Sequence, residues 1–241
     1  MGARFPTTQW SVVLAAKGQT GTQARDALES LCGAYWYPLY AYIRSRGYDP
    51  DTARDLTQAF FADLLERDSL QPVDPAKGRF RAFLLASLKN FLGHERERAR
   101  ALKRGGGVAT LSMDGGDAEG RYSREPVERV TPEQVFERRW GLTIMERAME
   151  RLEAASASRP AQFDRLKGYL TGAEPTAAYR EAAADLGLSE AAVKTAVHRL
   201  RKDYGRLLRE EIRATVADPN DLDDELKHLL AVIRPWQGLS P

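Results

Sequence analysis

Apolar residues along this chain recur at three- and four-residue spacing almost throughout, the pattern of helices that bury one face. The first stripe carries Leu28, Leu31, Tyr35, Leu39 and Ile43; Thr22 can cap its start and Gly47 ends it. Asp49-Pro50 then supplies a cap followed by proline at the first helical position, opening a helix that turns Leu56, Phe60, Leu64 and Leu65 toward a core. Residues 68–78, with Pro72 and Pro75, read as a loop. A long helix follows, with Phe80, Phe83, Leu84, Leu88, Phe91 and Leu92 on one side. Thr131-Pro132 restarts the pattern with Val135, Phe136, Trp140, Ile144, Met145, Met149 and Leu152, and short helices are expected near 161–170 and 175–186. No run alternates convincingly with the period of two that a half-buried strand requires. The expected fold class is all-α, two helical domains joined by a flexible linker.

The stretch from Gly105-Gly106-Gly107 to about Glu128 is rich in Gly, Asp, Arg and Ser and poor in apolar residues, which predicts the linker. No Lys-Ser/Thr pair follows the glycines, so they do not read as a phosphate-cradling loop. The expected division is therefore 1–104 for the first domain, 105–130 for the linker, 131–213 for the second domain and 214–241 for an acidic extension. The first domain includes an N-terminal extension over 5–16 that reads as a packing helix. In the C-terminal extension, Asp221 can cap a short helix bearing Leu222, Leu226, Leu229, Leu230 and Ile233. That stripe is expected to bury against the second domain; the alternative is an acidic tail that covers a basic face.

The segment 179–209 carries the most chemistry. A small-residue helix ends at Leu186-Gly187, and Ser189 offers an N-cap for the next. Val193, Val197 and Leu200 fall on one face of that second helix, with Leu186, Gly187, Leu188 and the two valines as scaffold. Lys194, Thr195, His198 and Arg199 fall on another. This is the layout of a helix-turn-helix whose second helix enters a DNA major groove. Arg199 is the leading candidate for a base or phosphate contact, because a guanidinium binds bidentately; Arg201 and Lys202 are expected on the DNA backbone.

Charge sharpens this picture. The net charge is only +2, but 89–104 holds six basic residues against Glu95 and Glu97, and 194–209 holds six against Asp203. From 210 to 228 the balance reverses, with seven acids against Arg213 and Lys227. Two basic blocks on separate helices fit a polyanion. Cys32 stands alone, so neither an intramolecular disulfide nor a zinc site is expected. No apolar run approaches the roughly 18 residues of a membrane span, and the Met1-Gly2 start reads as part of a small helix rather than a myristoylation site. No metal-ligand spacing, nucleophile–base pairing or cofactor loop stands out. The expectation is a cytoplasmic protein that is not an enzyme and needs no cofactor or metal.

Two segments together carry a family resemblance. The run ARDLTQAFFADLLE (53–66) and the later GRFRAFLLASLKNFLGHERERARALKRGGG (78–107) resemble the second conserved region of bacterial RNA polymerase sigma factors. The segment 179–209 resembles their fourth region, and the absence of an intervening domain is the arrangement of the extracytoplasmic-function group. The resemblance implies a transcription initiation factor whose partners are core RNA polymerase and promoter DNA. Asp55, Leu56, Gln58, Phe60 and Phe61 would dock on the clamp helices of the beta-prime subunit, with the beta subunit as a further contact. Ser69, Leu70 and Asn90 would lie at the melted minus-ten element, with Arg79, Arg81, Lys89, Arg96 and Arg100 on backbone phosphates. Lys194, Thr195, His198 and Arg199 would read the minus-thirty-five element.

One departure from the family stands out. Thr52-Ala53-Arg54-Asp55 occupies the place of an Asp-Ala-Glu-Asp cluster, and Ala59 replaces another frequent acid. Docking through charge complementarity is then weakened. Phosphorylation of Thr52, near a helix N-terminus, would restore negative charge, with Thr57 as a second candidate. A Ser/Thr kinase or an anti-sigma protein is a candidate regulator; lineage drift with compensating contacts elsewhere is the competing explanation of the missing acids. The competing reading is a helix-turn-helix regulator that never binds core polymerase.

Overall fold

A computed structural model describes residues 22–66, 79–102, 118–123, 130–170, 176–216 and 218–233. The fold is all-α. In chain order the helices are α1 (Thr22–Ser45), α2 (Pro50–Glu66), α3 (Phe80–Leu102), α4 (Ala118–Ser123), α5 (Pro132–Ala155), α6 (Pro160–Leu166), α7 (Thr176–Leu186), α8 (Glu190–Thr215) and α9 (Leu222–Ile233). Tighter 3-10 turns occupy Lys167–Leu170 and Pro219–Asp221, and an isolated antiparallel bridge joins Arg79 to Val216.

Local chemistry explains the helix ends. Gly47, at φ +87°, closes the first helix in a conformation that L side chains avoid. Asp49 Oδ1 accepts the Thr52 amide at 3.0 Å, capping α2 with Pro50 just inside it. Thr131 and Gln134 cap α5 reciprocally: the Gln134 amide donates to Thr131 Oγ1 at 3.3 Å, and the Thr131 amide to Gln134 Oε1 at 2.9 Å. Helix α1 continues through Pro38, whose ring and missing backbone donor cost about 3 kcal/mol in a helix interior. Burial of the whole run 34–43 around it offsets that cost.

The described residues form two compact units, one within Met1–Thr143 and Ile212–Pro241, the other Ile144–Glu211. The division falls inside α5 and α8, not at the boundaries 104/105, 130/131 and 213/214 expected from composition. Aromatic packing is the reason. Trp140 and Phe136, on the first part of α5, belong to the same core as Tyr35 and Phe80: Trp140 Nε1 donates to Tyr35 Oη at 2.9 Å, and Phe80 meets the Tyr35 ring edge-on at 5.0 Å. Part of the expected linker is also ordered on this unit. Glu119 of α4 accepts both Arg44 Nε at 2.9 Å and Arg44 Nη2 at 2.8 Å, and takes the Tyr40 hydroxyl at 2.6 Å. The rest of 105–129, apart from α4, lies outside the described residues, as do the N-terminal segment 5–16 and Ser69 and Leu70.

The C-terminal extension packs on the first part of α5, inside the segment 131–213 that its apolar stripe was expected to cover, and both belong to the first unit. Gly141 makes room for it: a Cβ there would stand 2.9 Å from Ile233 Cγ2. The helix is also turned differently from its leucine pattern. Leu229 is buried, but Leu230 is 47% exposed and Glu225 only 1% exposed. The second unit has its own core of Leu166, Tyr169, Ala182, Ala183, Val193 and Val197, with Tyr179, Leu186 and Leu200 packed against it.

Candidate nucleic-acid interface

In the second unit, α7 and α8 are joined by the turn Gly187–Leu188–Ser189. The Leu188 amide donates to Ala183 O at 2.9 Å and the Gly187 amide to Ala184 O at 3.3 Å, which satisfies the last carbonyls of α7. Gly187 sits at φ +63°. Ser189 Oγ then accepts the Ala192 amide at 3.2 Å and starts α8. Leu188, expected as scaffold, is 40% exposed, because the αL turn directs it outward while Leu186 stays on the core.

The turn fixes which face of α8 meets water. Val193 and Val197 are buried, and Lys194, Thr195, His198, Arg199 and Lys202 are all exposed. Lys194 pairs with Glu190 at 2.7 Å, one helical turn back, which holds the Glu190 carboxyl below the usual carboxylate range. The Thr195 hydroxyl donates to Ala191 O at 2.9 Å. Arg199 and His198 have no hydrogen-bond or ion-pair partner among the described residues. Arg201 differs from its sequence expectation: Nε and Nη2 donate to the Tyr169 carbonyl at 3.0 and 2.7 Å. It ties α8 to the 3-10 turn and is not a free backbone contact.

Arg199 also lines a cleft of about 220 Å³ with Arg159, Ser156, Ser158, Gln162 and Asp203, floored by Phe163 and Leu200. Arg159, in the turn before α6, was missed from sequence because it stands alone, far upstream of the basic block.

The first unit places its candidates less uniformly. Asn90 is exposed and lines a cleft of about 460 Å³ between α2 and α3, beside Phe91, Phe60, Asp63, His94 and Arg98. Phe60 meets Phe91 edge-on at 5.7 Å, and both line the cleft with Asn90, whose amide can hydrogen-bond a base edge. Arg96 is exposed and donates to the Tyr48 hydroxyl at 2.9 Å. Lys89 pairs with Glu133 at 2.8 Å. That pairing holds the Lys89 ammonium above its ordinary range and the Glu133 carboxyl below its own. Arg100 lies on α3, with its side chain outside the described residues.

Two arginines assigned to phosphates are committed elsewhere. Arg81 is 6% exposed, stacked under Trp140 at 5.2 Å, and bonded to Glu225 and Glu137. Burial alone would lower the affinity of its guanidinium for the proton, but those carboxylates reverse the sign and raise it. Arg79 Nε reaches Glu225 Oε2 at 3.1 Å. The cause in both cases is Glu225 on α9, whose carboxylate needs cations in a dry site. His228 Nε2 lies 2.8 Å from Glu137 Oε2 and extends the same network.

The docking candidates on α2 divide by burial. Asp55 is exposed and Leu56 half-buried, whereas Gln58, Phe60 and Phe61 are buried and Phe60 and Phe61 serve the core rather than a partner. Thr57 is fully buried, its hydroxyl donating to Ala53 O at 2.7 Å, so it is not an accessible phosphorylation site. Thr52 is half-buried at the capped end of α2. Asp49 accepts from it there, which holds the Asp49 carboxyl below its usual range.

Among the described residues, no helix is long and apolar enough to cross a membrane, and no group of three or more His, Cys, Asp or Glu side chains is placed to hold a metal ion. Comparison with protein-family models, curated proteins and solved structures finds no match to the chain.

Proposed function

We propose that this chain is a transcription initiation factor of the sigma kind, which binds core RNA polymerase and directs it to promoters by reading two DNA elements. One observation carries the reading: the exposed face of α8 gathers Lys194, Thr195, His198, Arg199 and Lys202 beyond a short αL turn, opposite its buried valines. A helix so displayed fits a major groove, where side chains reach base edges and flanking cations hold phosphates. The resemblance of 53–66 and 78–107 to the second sigma region supports the polymerase half, and the cleft under Asn90 supplies a surface for an unstacked base.

Docking through α2 would rest on Asp55 and Leu56, with negative charge added at Thr52 as the regulatory step. A phosphate at Thr52 gains from the helix N-terminus, but it also meets Asp49 and Asp51, so its benefit lies in docking and not in folding. Its site of action would be the cytoplasm, on the nucleoid when bound to polymerase, under a Ser/Thr kinase or an anti-sigma protein.

A second reading, a helix-turn-helix regulator independent of polymerase, is favoured by the burial of Gln58, Phe60 and Phe61. Co-purification with core polymerase separates the two. Retention of the chain on core enzyme, weakened by Asp55→Lys, supports the sigma reading; free chain and no retention supports the regulator.

A further inference from the structure

Arg159 stands apart from the recognition face yet shares a cleft with one of its members. Its side chain is exposed, caps no helix and has no hydrogen-bond or ion-pair partner among the described residues. Across the cleft Arg199 is equally unpaired. The acid on the rim, Asp203, lies 3.9 Å from Arg206. Two exposed guanidiniums with no partner among the described residues line one space of about 220 Å³, and their like charges favour an anion between them. Ser156, Ser158 and Gln162 add neutral hydrogen-bond donors around them.

An oxyanion with several acceptor oxygens satisfies all of these groups at once, and a guanidinium fork matches a phosphate better than it matches a single carbonyl. From this geometry we infer that the cleft is a clamp for one phosphodiester of the DNA backbone, held between Arg159 and Arg199. The inference rests on the DNA-binding reading of α8. A backbone phosphate is favoured over a free anion because Arg199 belongs to the same exposed face as Lys194, Thr195, His198 and Lys202, so a strand running along that face enters the cleft. Arg199 is then a positioning residue, and base reading falls to Lys194, Thr195 and His198.

The test is a salt titration of the full-length chain against two duplexes of unrelated sequence, with inorganic phosphate as competitor. Arg159→Ala should weaken binding to both duplexes by the same factor, roughly three- to tenfold. The slope of log affinity against log salt should become shallower by about 0.9, the loss of one phosphate contact. Arg159→Lys should keep the slope. Arg159→Ala combined with Arg199→Ala should flatten it no further than one contact. Thermal unfolding of Arg159→Ala should match wild type, because the side chain is exposed.

An unchanged affinity and slope in Arg159→Ala, while Lys194→Ala weakens binding, overturns the clamp and leaves the DNA reading standing. Loss confined to one duplex also overturns it, since a phosphate contact carries no sequence information. Full displacement of the duplex from wild type by millimolar inorganic phosphate makes the cleft a free-anion site and overturns the backbone assignment. Absence of any salt-dependent duplex binding by wild type overturns both readings.

Discussion

Arg81 and Glu225, 144 residues apart in sequence, form a buried bidentate pair: Nε to Oε1 at 2.6 Å and Nη2 to Oε2 at 3.3 Å. With Arg79 and Glu137 they join the C-terminal helix to α3 and α5. Neither charge has solvent to fall back on, so the pair is a commitment of the fold and not a reserve of DNA contacts. Arg81→Ala should destabilise the first unit by about 3 kcal/mol, the low end for a broken buried pair, because Arg79 still reaches the buried Glu225 carboxylate. Urea denaturation would show this as a lower midpoint at unchanged slope. Arg81→Met with Glu225→Leu should recover most of the loss, since the apolar pair removes both desolvation penalties.

That relationship also marks how far the sequence could be read. The helices were legible, because Gly47, Asp49-Pro50, Thr131-Pro132, Gly187 and Ser189 each act within a few residues of their own position. The faces of α8 were legible for the same reason: the turn sets the register, and period 3.6 does the rest. Partners far along the chain were not. Arg81 in a basic helix has the local look of a phosphate ligand, and only the return of α9 reveals its carboxylates. Leu230, expected on the buried stripe, is exposed while Glu225 is buried, because the helix is turned to bring that carboxylate to Arg79 and Arg81. Periodicity points Phe60 to the core and the family resemblance points Phe60 and Phe61 to a partner; both are buried in the core.

Gly187 is the position where backbone geometry limits sequence most sharply. A Cβ there meets no atom within 4 Å, so any penalty comes from φ +63° alone. Gly187→Ala should cost about 1–2 kcal/mol and lower the melting temperature of the second unit. Gly187→Asn should cost less, because asparagine tolerates αL. Equal stability for all three would contradict the turn as described.

Acid should loosen the second unit through Glu210. Arg151 first, and then Arg206, hold its carboxyl below the usual carboxylate range. A folded pKa below the unfolded one means the stabilisation is present above the unfolded value of about 4.3 and disappears as pH falls through the folded value. The melting temperature should therefore decline between about pH 5 and pH 3, less steeply in Arg151→Ala. Both side chains are more than a third exposed, so added salt should flatten the dependence.

Lys89 is available to DNA only by leaving Glu133. Glu133→Gln removes the competing carboxylate and should raise affinity for duplex or melted DNA about two- to threefold at low salt, with a steeper salt slope. Lys89→Ala should abolish the gain. A Glu133→Gln chain that binds like wild type would place Lys89 outside the interface.

Under the proposed function, the α8 face works as part of a polymerase-bound promoter reader. The most direct test is transcription from a genomic DNA library by core polymerase alone and with the full-length chain, mapping every start site. Start sites that appear only with the chain, share sequence elements near minus ten and minus thirty-five, and are lost with Lys194→Ala combined with Arg199→Ala are the predicted result. Start sites identical with and without the chain, while the chain still binds duplex DNA by itself, would contradict the account.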